Sequence, residues 1–319
     1  MLDYLSQGGP HHPKHGGGVA AAHPEGGGGI NFLPPLHPTL AFFVHYAIAI
    51  PSILYAHDLF FFSNPDISHD TPGESATTLR RIQLLSKFLV IYTLILFSTR
   101  YISSSYAGRL RRHSVLYELT WLCNFTLVMG CLSLGGWHHC GWLFRRRPLV
   151  VMACCVAVSI DQLLWYVDLA GWAISGKFPF GVMKYLTWKQ TLWIDRLTCT
   201  HHLWTIPFLL FGANKPLTPD SFKLSIAVVV IHVLLSRFLT PHCIHGKDDD
   251  SKKDPQRYRY LNVNLSHELW RDISIPFIQI SIDNPPCLVY LFRLLWRWQL
   301  FNWLVFIGIL CPFSRLLVS

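Results

Sequence analysis

Charge is scarce in this chain. Asp, Glu, Lys and Arg make up 14% of 319 residues, where a soluble domain carries about 25%. That deficit excludes an ordinary water-soluble globule. The nine cysteines form no CxxC pair and keep no regular spacing, which argues against a zinc ribbon or a disulfide framework. Cys123, Cys131, Cys154, Cys155, Cys199 and Cys311 lie in apolar runs, and most read as small core residues. The N-terminus has no basic stretch leading into a short apolar one, so no cleaved signal peptide is expected. No internal repeat is visible. Nor is there a pair of Gly- and Pro-broken apolar segments, the mark of many transporters.

Apolar residues take the place of charge. They reach 51% of the chain, with 14% aromatic and a mean hydropathy of +0.32. Runs of about 20 such residues recur, the length that crosses a bilayer as helix. The expected fold class is therefore all-α: a polytopic integral membrane helical bundle of about six or seven spans, with one interfacial amphipathic helix. The net charge of +9 sits in short loops between the runs, as cytoplasmic loops and anionic headgroups favour. Membrane lipids are the expected partners, and nucleic acid is not. The balance of Lys and Arg between alternate loops favours a cytoplasmic N-terminus, and an endomembrane location is favoured.

Residues 1–37 are rich in Gly, His and Pro and are expected to be a disordered tail. Residues 38–240 form a six-span membrane domain. Its spans run near 37–62 with Pro51 inside, 84–104 with Lys87 and Arg100 snorkelling from its ends, 115–135, 149–174, 188–212 and 222–239. Residues 241–264 form a polar, mobile connector. In 265–319 the apolar period of LSHELWRDISIPFIQI suggests an interfacial helix, and a seventh span covers 288–311.

The most informative stretch is 188–212, WKQTLWIDRLTCTHHLWTIPFLLFG. It is apolar enough to enter a bilayer yet carries Asp195, Arg196, Cys199, His201 and His202. Polar groups in hydrocarbon are costly and tend to be functional. Cys123 and Asn124 stand out in the third span for the same reason. In the fourth, Asp161 and Asp168 share a helical face with Trp165 between them. A thiol beside an imidazole is a nucleophile with its base. Cys123 with His201 or His202 suits acyl transfer through a thioester, with Asp161 or Asp168 orienting the ring. His202 is favoured as base because Thr198 and Asp195 would share its helix face. No cofactor or metal is expected. A b-type haem on His45, His201, His202 or His232 lacks regular histidine spacing. A proton-relaying transporter and a structural subunit whose polar residues merely pair helices are the non-enzymatic alternatives.

ELTWLCN in the third span and HHLWTIPFLLF in the fifth resemble the cysteine and histidine helices of the YwaF-like bacterial and transmembrane-164-type eukaryotic membrane proteins. The resemblance spans about residues 84–240. It implies an integral membrane acyltransferase that moves an acyl chain onto ether lysophospholipids. Cys123 would be the nucleophile and His201 or His202 the base, with Asn124 where the eukaryotic pattern has histidine.

Overall fold

Long apolar stretches without helix breakers build the frame. The computed structural model describes residues 36–61, 75–106, 109–135, 142–144, 146–187, 191–245, 258–261, 263–267 and 286–318. Among these, α1 (Pro38–Phe61), α2 (Ala76–Tyr106) and α9 (Pro219–Leu239) are continuous helices. So is α10 (Cys287–Val305), which runs through a π-helical turn, Phe306–Leu310, into α11 (Cys311–Val318). These make four stretches long and apolar enough to cross a membrane, and the chain is an all-α polytopic bundle. The tail and the expected interfacial helix fall mainly outside the described residues.

The remaining apolar runs are broken. The third span is α3 (Arg109–Glu118) followed by α4 (Leu122–Leu134), bent by 56°. The fourth is α5 (Pro148–Ala157) followed by α6 (Ser159–Ser175), bent by 52°. Counting each bent pair as one crossing gives up to six. The expected fifth span is α7 (Trp193–Thr198) and α8 (His201–Ala213), separated at Cys199 and Thr200. Thirteen helical residues cover about 20 Å, short of the ~30 Å hydrocarbon core, so α8 alone does not cross.

Helix α5 is the centre. PLVVMACCVA has no charge to keep wet, and residues 149 to 157 are all buried. A helix that is apolar all round is buried all round. It packs against α9, α4 and α8. Helices α4 and α8 meet through two glycines. A Cβ built on Gly130 would lie 2.7 Å from Leu209 Cδ2, and one on Gly212 would lie 2.9 Å from Leu134 Cδ1. Small residues allow that approach, which brings the start of α4 towards the start of α8.

Broken helices expose amide and carbonyl groups that lipid cannot satisfy. At the α3/α4 break, Asn264 Oδ1 accepts the Leu122 N–H at 2.8 Å while its Nδ2 donates to the Thr120 carbonyl at 3.2 Å and to Ser236 Oγ at 2.8 Å. Tyr46 donates to the Leu119 carbonyl at 2.8 Å. At the α5/α6 break, Asn302 Oδ1 accepts from the Ile160 amide at 3.2 Å and Ser159 Oγ at 3.1 Å. Asn302 Nδ2 and Trp298 Nε1 both donate to the Ala157 carbonyl at 3.1 Å. Asn302 lies on α10, which therefore completes the same bundle.

Asn264 sits in the segment read from sequence as a polar connector. There a two-stranded antiparallel ribbon, β1 (Cys243–His245) with β2 (Tyr258–Tyr260), leads into a short 3-10 turn at Val263–Leu265. The left-handed backbone of Asn264, φ 52°, is one that Asn tolerates better than most residues.

Asn264→Ala strands the Leu122 amide and the Thr120 carbonyl together. At about 1–3 kcal/mol for each buried orphan, it should cost roughly twice as much as Asn302→Ala, whose Ala157 carbonyl keeps Trp298. Unfolding midpoints of the two variants in one detergent check this. Equal, negligible losses would contradict the stitching role.

Candidate functional site

Three helices begin at one place. Cys123 is the second residue of α4, Asp161 and Gln162 lie in the first turn of α6, and His201 and His202 open α8. Cys123 Sγ and one ring nitrogen from each histidine all lie within 4.8 Å of one another, and all three residues are buried. The helices carrying Cys123 and the histidine pair thus pack as the sequence suggested.

The two histidines differ in their hydrogen bonds. His201 Nδ1 lies 2.6 Å from the Thr198 carbonyl. A carbonyl only accepts, so Nδ1 carries the proton and Nε2 keeps its lone pair. That Nε2 is buried with no hydrogen-bond partner. His202 Nδ1 faces Gln162 Nε2 at 2.6 Å. With the amide donating, the His202 proton sits on Nε2. The rings stack with centroids 4.3 Å apart, and Trp165 stacks on His202 at 5.5 Å. His201 is therefore the ring set up to take a proton, and His202 presents a donor while the Gln162 amide nitrogen faces it. This reverses the sequence preference for His202, which assumed one continuous helix from Asp195. The break at Cys199 and Thr200 removes that shared face.

The acids also depart from expectation. Asp168 is fully buried, but its partners are backbone amides rather than His, Arg or Trp. Phe180, Gly181 and Met183 donate to it at 2.7, 3.1 and 3.1 Å. It ties down the loop after α6 and orients no imidazole. Asp161 is half-buried, within electrostatic reach of the Cys123 thiol, and is bonded to neither histidine. The orienting groups are the Thr198 carbonyl and Gln162, which the sequence reading missed. The i to i+3 step from Thr198 to His201 was the available signal for the first. Asn124 Nδ2 donates to the Glu118 carbonyl at 3.1 Å while its Oδ1 is buried without a partner, so Asn124 helps close the α3/α4 break.

A charged cluster supports the α7/α8 break. Arg111 Nη1 pairs with Glu118 at 2.6 Å and Nη2 with Asp195 at 2.5 Å. Arg100 does not snorkel, because partners on and after α7 hold it inward. It is 9% exposed and donates Nε to Thr198 Oγ1 at 2.8 Å and Nη2 to Cys199 Sγ at 3.2 Å. Tyr185 approaches the same sulfur at 3.0 Å, and burial pushes its phenol well above the usual range.

The four histidines considered for haem sort into two pairs. His45 and His232, from α1 and α9, have centroids 5.0 Å apart, separate from the His201/His202 stack. Comparisons with family models, with curated proteins and with solved structures gave no match.

Exposure orders the thiols. Cys123 keeps 7% of its surface accessible, whereas Cys154 and Cys155 on α5 keep none. A membrane-permeant alkylating reagent should modify Cys123 in the folded chain while Cys154 and Cys155 react only on unfolding. Peptide mass spectrometry over a time course reads this. Simultaneous labelling of all three would contradict the packing described.

Proposed function

We propose that this chain is a membrane-embedded lipid acyltransferase. In this reading it moves an acyl chain between phospholipids of an endomembrane through a thioester on Cys123, with an ether lysophospholipid as acceptor by resemblance. The observation that carries the reading is the approach of Cys123 Sγ and the His201 and His202 nitrogens to within 4.8 Å in a buried setting.

The chemistry follows from the hydrogen bonds. His201 Nε2 takes the thiol proton. The sulfur attacks the ester carbonyl of the donor lipid, a C–S bond forms, the C–O bond breaks, and the departing lysolipid oxygen recovers the proton from His201. In the second half the acceptor hydroxyl gives its proton to His201 and attacks the thioester. The new C–O bond forms, and the C–S bond breaks to return the thiol. His202 Nε2–H would supply a donor for the oxyanion. Trp165 and Gln162 hold the His202 ring.

A second reading has one observation of its own. Broken helices whose N-termini meet are also how many transporters build a substrate site. The sequence argument against transport relied on Gly and Pro as markers, whereas asparagines hold the α3/α4 and α5/α6 breaks.

The test is acyl-enzyme capture. Purified chain incubated with a phospholipid bearing an alkyne-tagged acyl chain should acquire a label that neutral hydroxylamine removes. Cys123→Ala should abolish the label and the transfer. His201→Ala should slow transfer by about 10²–10⁴-fold, the usual worth of a general base, far more than the lower unfolding temperature expected from losing its bond to the Thr198 carbonyl, which keeps Tyr92. A label that survives Cys123→Ala would mean ordinary acylation elsewhere, as at Cys140 or Cys243, and would remove the enzymatic reading.

A further inference from the structure

We infer that Cys123, His201 and His202 also form a binding site for a single zinc-class metal ion, and that the ion competes with the acyl group for the Cys123 sulfur. The regulatory half rests on the acyl-thioester reading. The metal site itself does not.

The donor set is one sulfur and two imidazoles, which suits a borderline-soft divalent ion such as Zn²⁺. Tetrahedral zinc with Zn–S about 2.3 Å and Zn–N about 2.0–2.1 Å keeps its donors roughly 3.4–3.6 Å apart. The three atoms now lie within 4.8 Å, so reaching zinc geometry closes the site by at most about 1.4 Å, a side-chain movement. All three donors already stand at the starts of α4 and α8. Metal-binding histidines almost always give their second ring nitrogen to a carbonyl, carboxylate or similar group. His201 already does so, through Nδ1 to Thr198, and its Nε2 is a buried lone pair with no partner.

His202 needs one change. A half-turn of the Gln162 amide would put Oε1 on Nδ1. The ring proton then moves to Nδ1 and Nε2 becomes a ligand. Gln162 Oε1 is buried without a partner in its present orientation while Nε2 holds the ring, so the turn exchanges which end of the amide is bonded with no net loss of a hydrogen bond. The site thus has two states that differ at one amide: His202 as proton donor, or His202 as ligand.

Charge is compatible with the ion. A divalent cation with one thiolate leaves +1, and Asp161, within electrostatic reach of the Cys123 sulfur, brings the sum to zero. Arg100 also reaches both histidines electrostatically, and the two positive charges of Arg100 and Arg111 are offset by Glu118 and Asp195. With three protein ligands the fourth position stays open, as in zinc sites that exchange a ligand.

The probe is Co²⁺ alone, titrated into chelator-treated full-length chain in detergent. One ion per chain should bind, with a thiolate-to-cobalt charge-transfer band and the visible bands of tetrahedral cobalt. Alkylating Cys123 in the folded chain beforehand should abolish them without any folding step, and Cys123→Ser should do the same. Cys199→Ser should retain them. Gln162→Ala should weaken binding by about 10–100-fold, as loss of a group behind a ligand does. Zn²⁺ should displace Co²⁺, protect Cys123 from alkylation and block the acyl label, all reversed by chelator. No charge-transfer band, or one that persists with Cys123 blocked, overturns the metal site. The acyl label is measured on metal-free chain, so its failure, with the cobalt bands intact, would sink only the transferase reading and the competition drawn from it.

Discussion

Hydrocarbon offers no hydrogen bonds, and this chain breaks helices inside an apolar bundle. Every consequence of the structure follows from satisfying those breaks. An unpaired buried amide or carbonyl costs about 1–3 kcal/mol, so an unstitched break would not persist. Asn264 and Asn302 each bridge a donor and an acceptor across a gap. A primary amide is suited to this, because it carries an acceptor oxygen and two donor hydrogens with no charge to desolvate. The third break uses a different device. The Thr198 carbonyl receives His201 Nδ1 and, at 3.2 Å, the Tyr92 hydroxyl. There the stitch is itself a member of the candidate site.

That coupling explains why the site stands where it does. A helix start leaves amide N–H groups pointing outward and a partial positive charge. Three starts converge on Cys123, Gln162 and His201, and much of their exposed backbone is already spoken for: Leu122 and Ile160 by the asparagines, and His202 and Leu203 by the Cys199 and Thr200 carbonyls. The approach of α4 to α8 depends on Gly130 and Gly212, and α5 behind them is apolar throughout. The polar groups therefore meet in a dry surround, where fixed dipoles act with little screening.

Much of the bundle was legible in the sequence, because the signals that carried it are local. Runs of about 20 apolar residues located the continuous helices near their observed positions. Polar residues inside such runs flagged Cys123, His201, His202 and Asp168 as buried. The breaks were not legible. Pro51 and Pro207 lie inside helices, while the breaks at 119–121, 158 and 199–200 contain neither Gly nor Pro. What holds two of them is a side chain more than 140 residues distant along the chain, and no window of sequence contains both partners. Arg100 was misread for a related reason. Its place near the end of an apolar run suggested snorkelling, but Thr198 and Cys199, 98 and 99 residues on, hold the guanidinium inward.

The two histidines differ through one hydrogen bond each. As neighbours in sequence with stacked rings, they share burial and surroundings, and composition cannot tell them apart. Their difference lies at Nδ1. A carbonyl fixes the tautomer of His201, since it can only accept. An amide leaves His202 open, since either end of Gln162 can face the ring. In the proposed chemistry one ring is therefore held as the base, and the other can serve as donor or as ligand according to which way Gln162 turns. Replacing Gln162 by Glu would remove that choice: an ionised carboxylate only accepts, holds the His202 proton on Nδ1, and frees Nε2. Such a variant should bind cobalt more tightly than the native chain while transferring acyl groups more slowly. Opposite movement of the two quantities requires that both depend on the His202 tautomer, because a merely structural Gln162 would weaken both together.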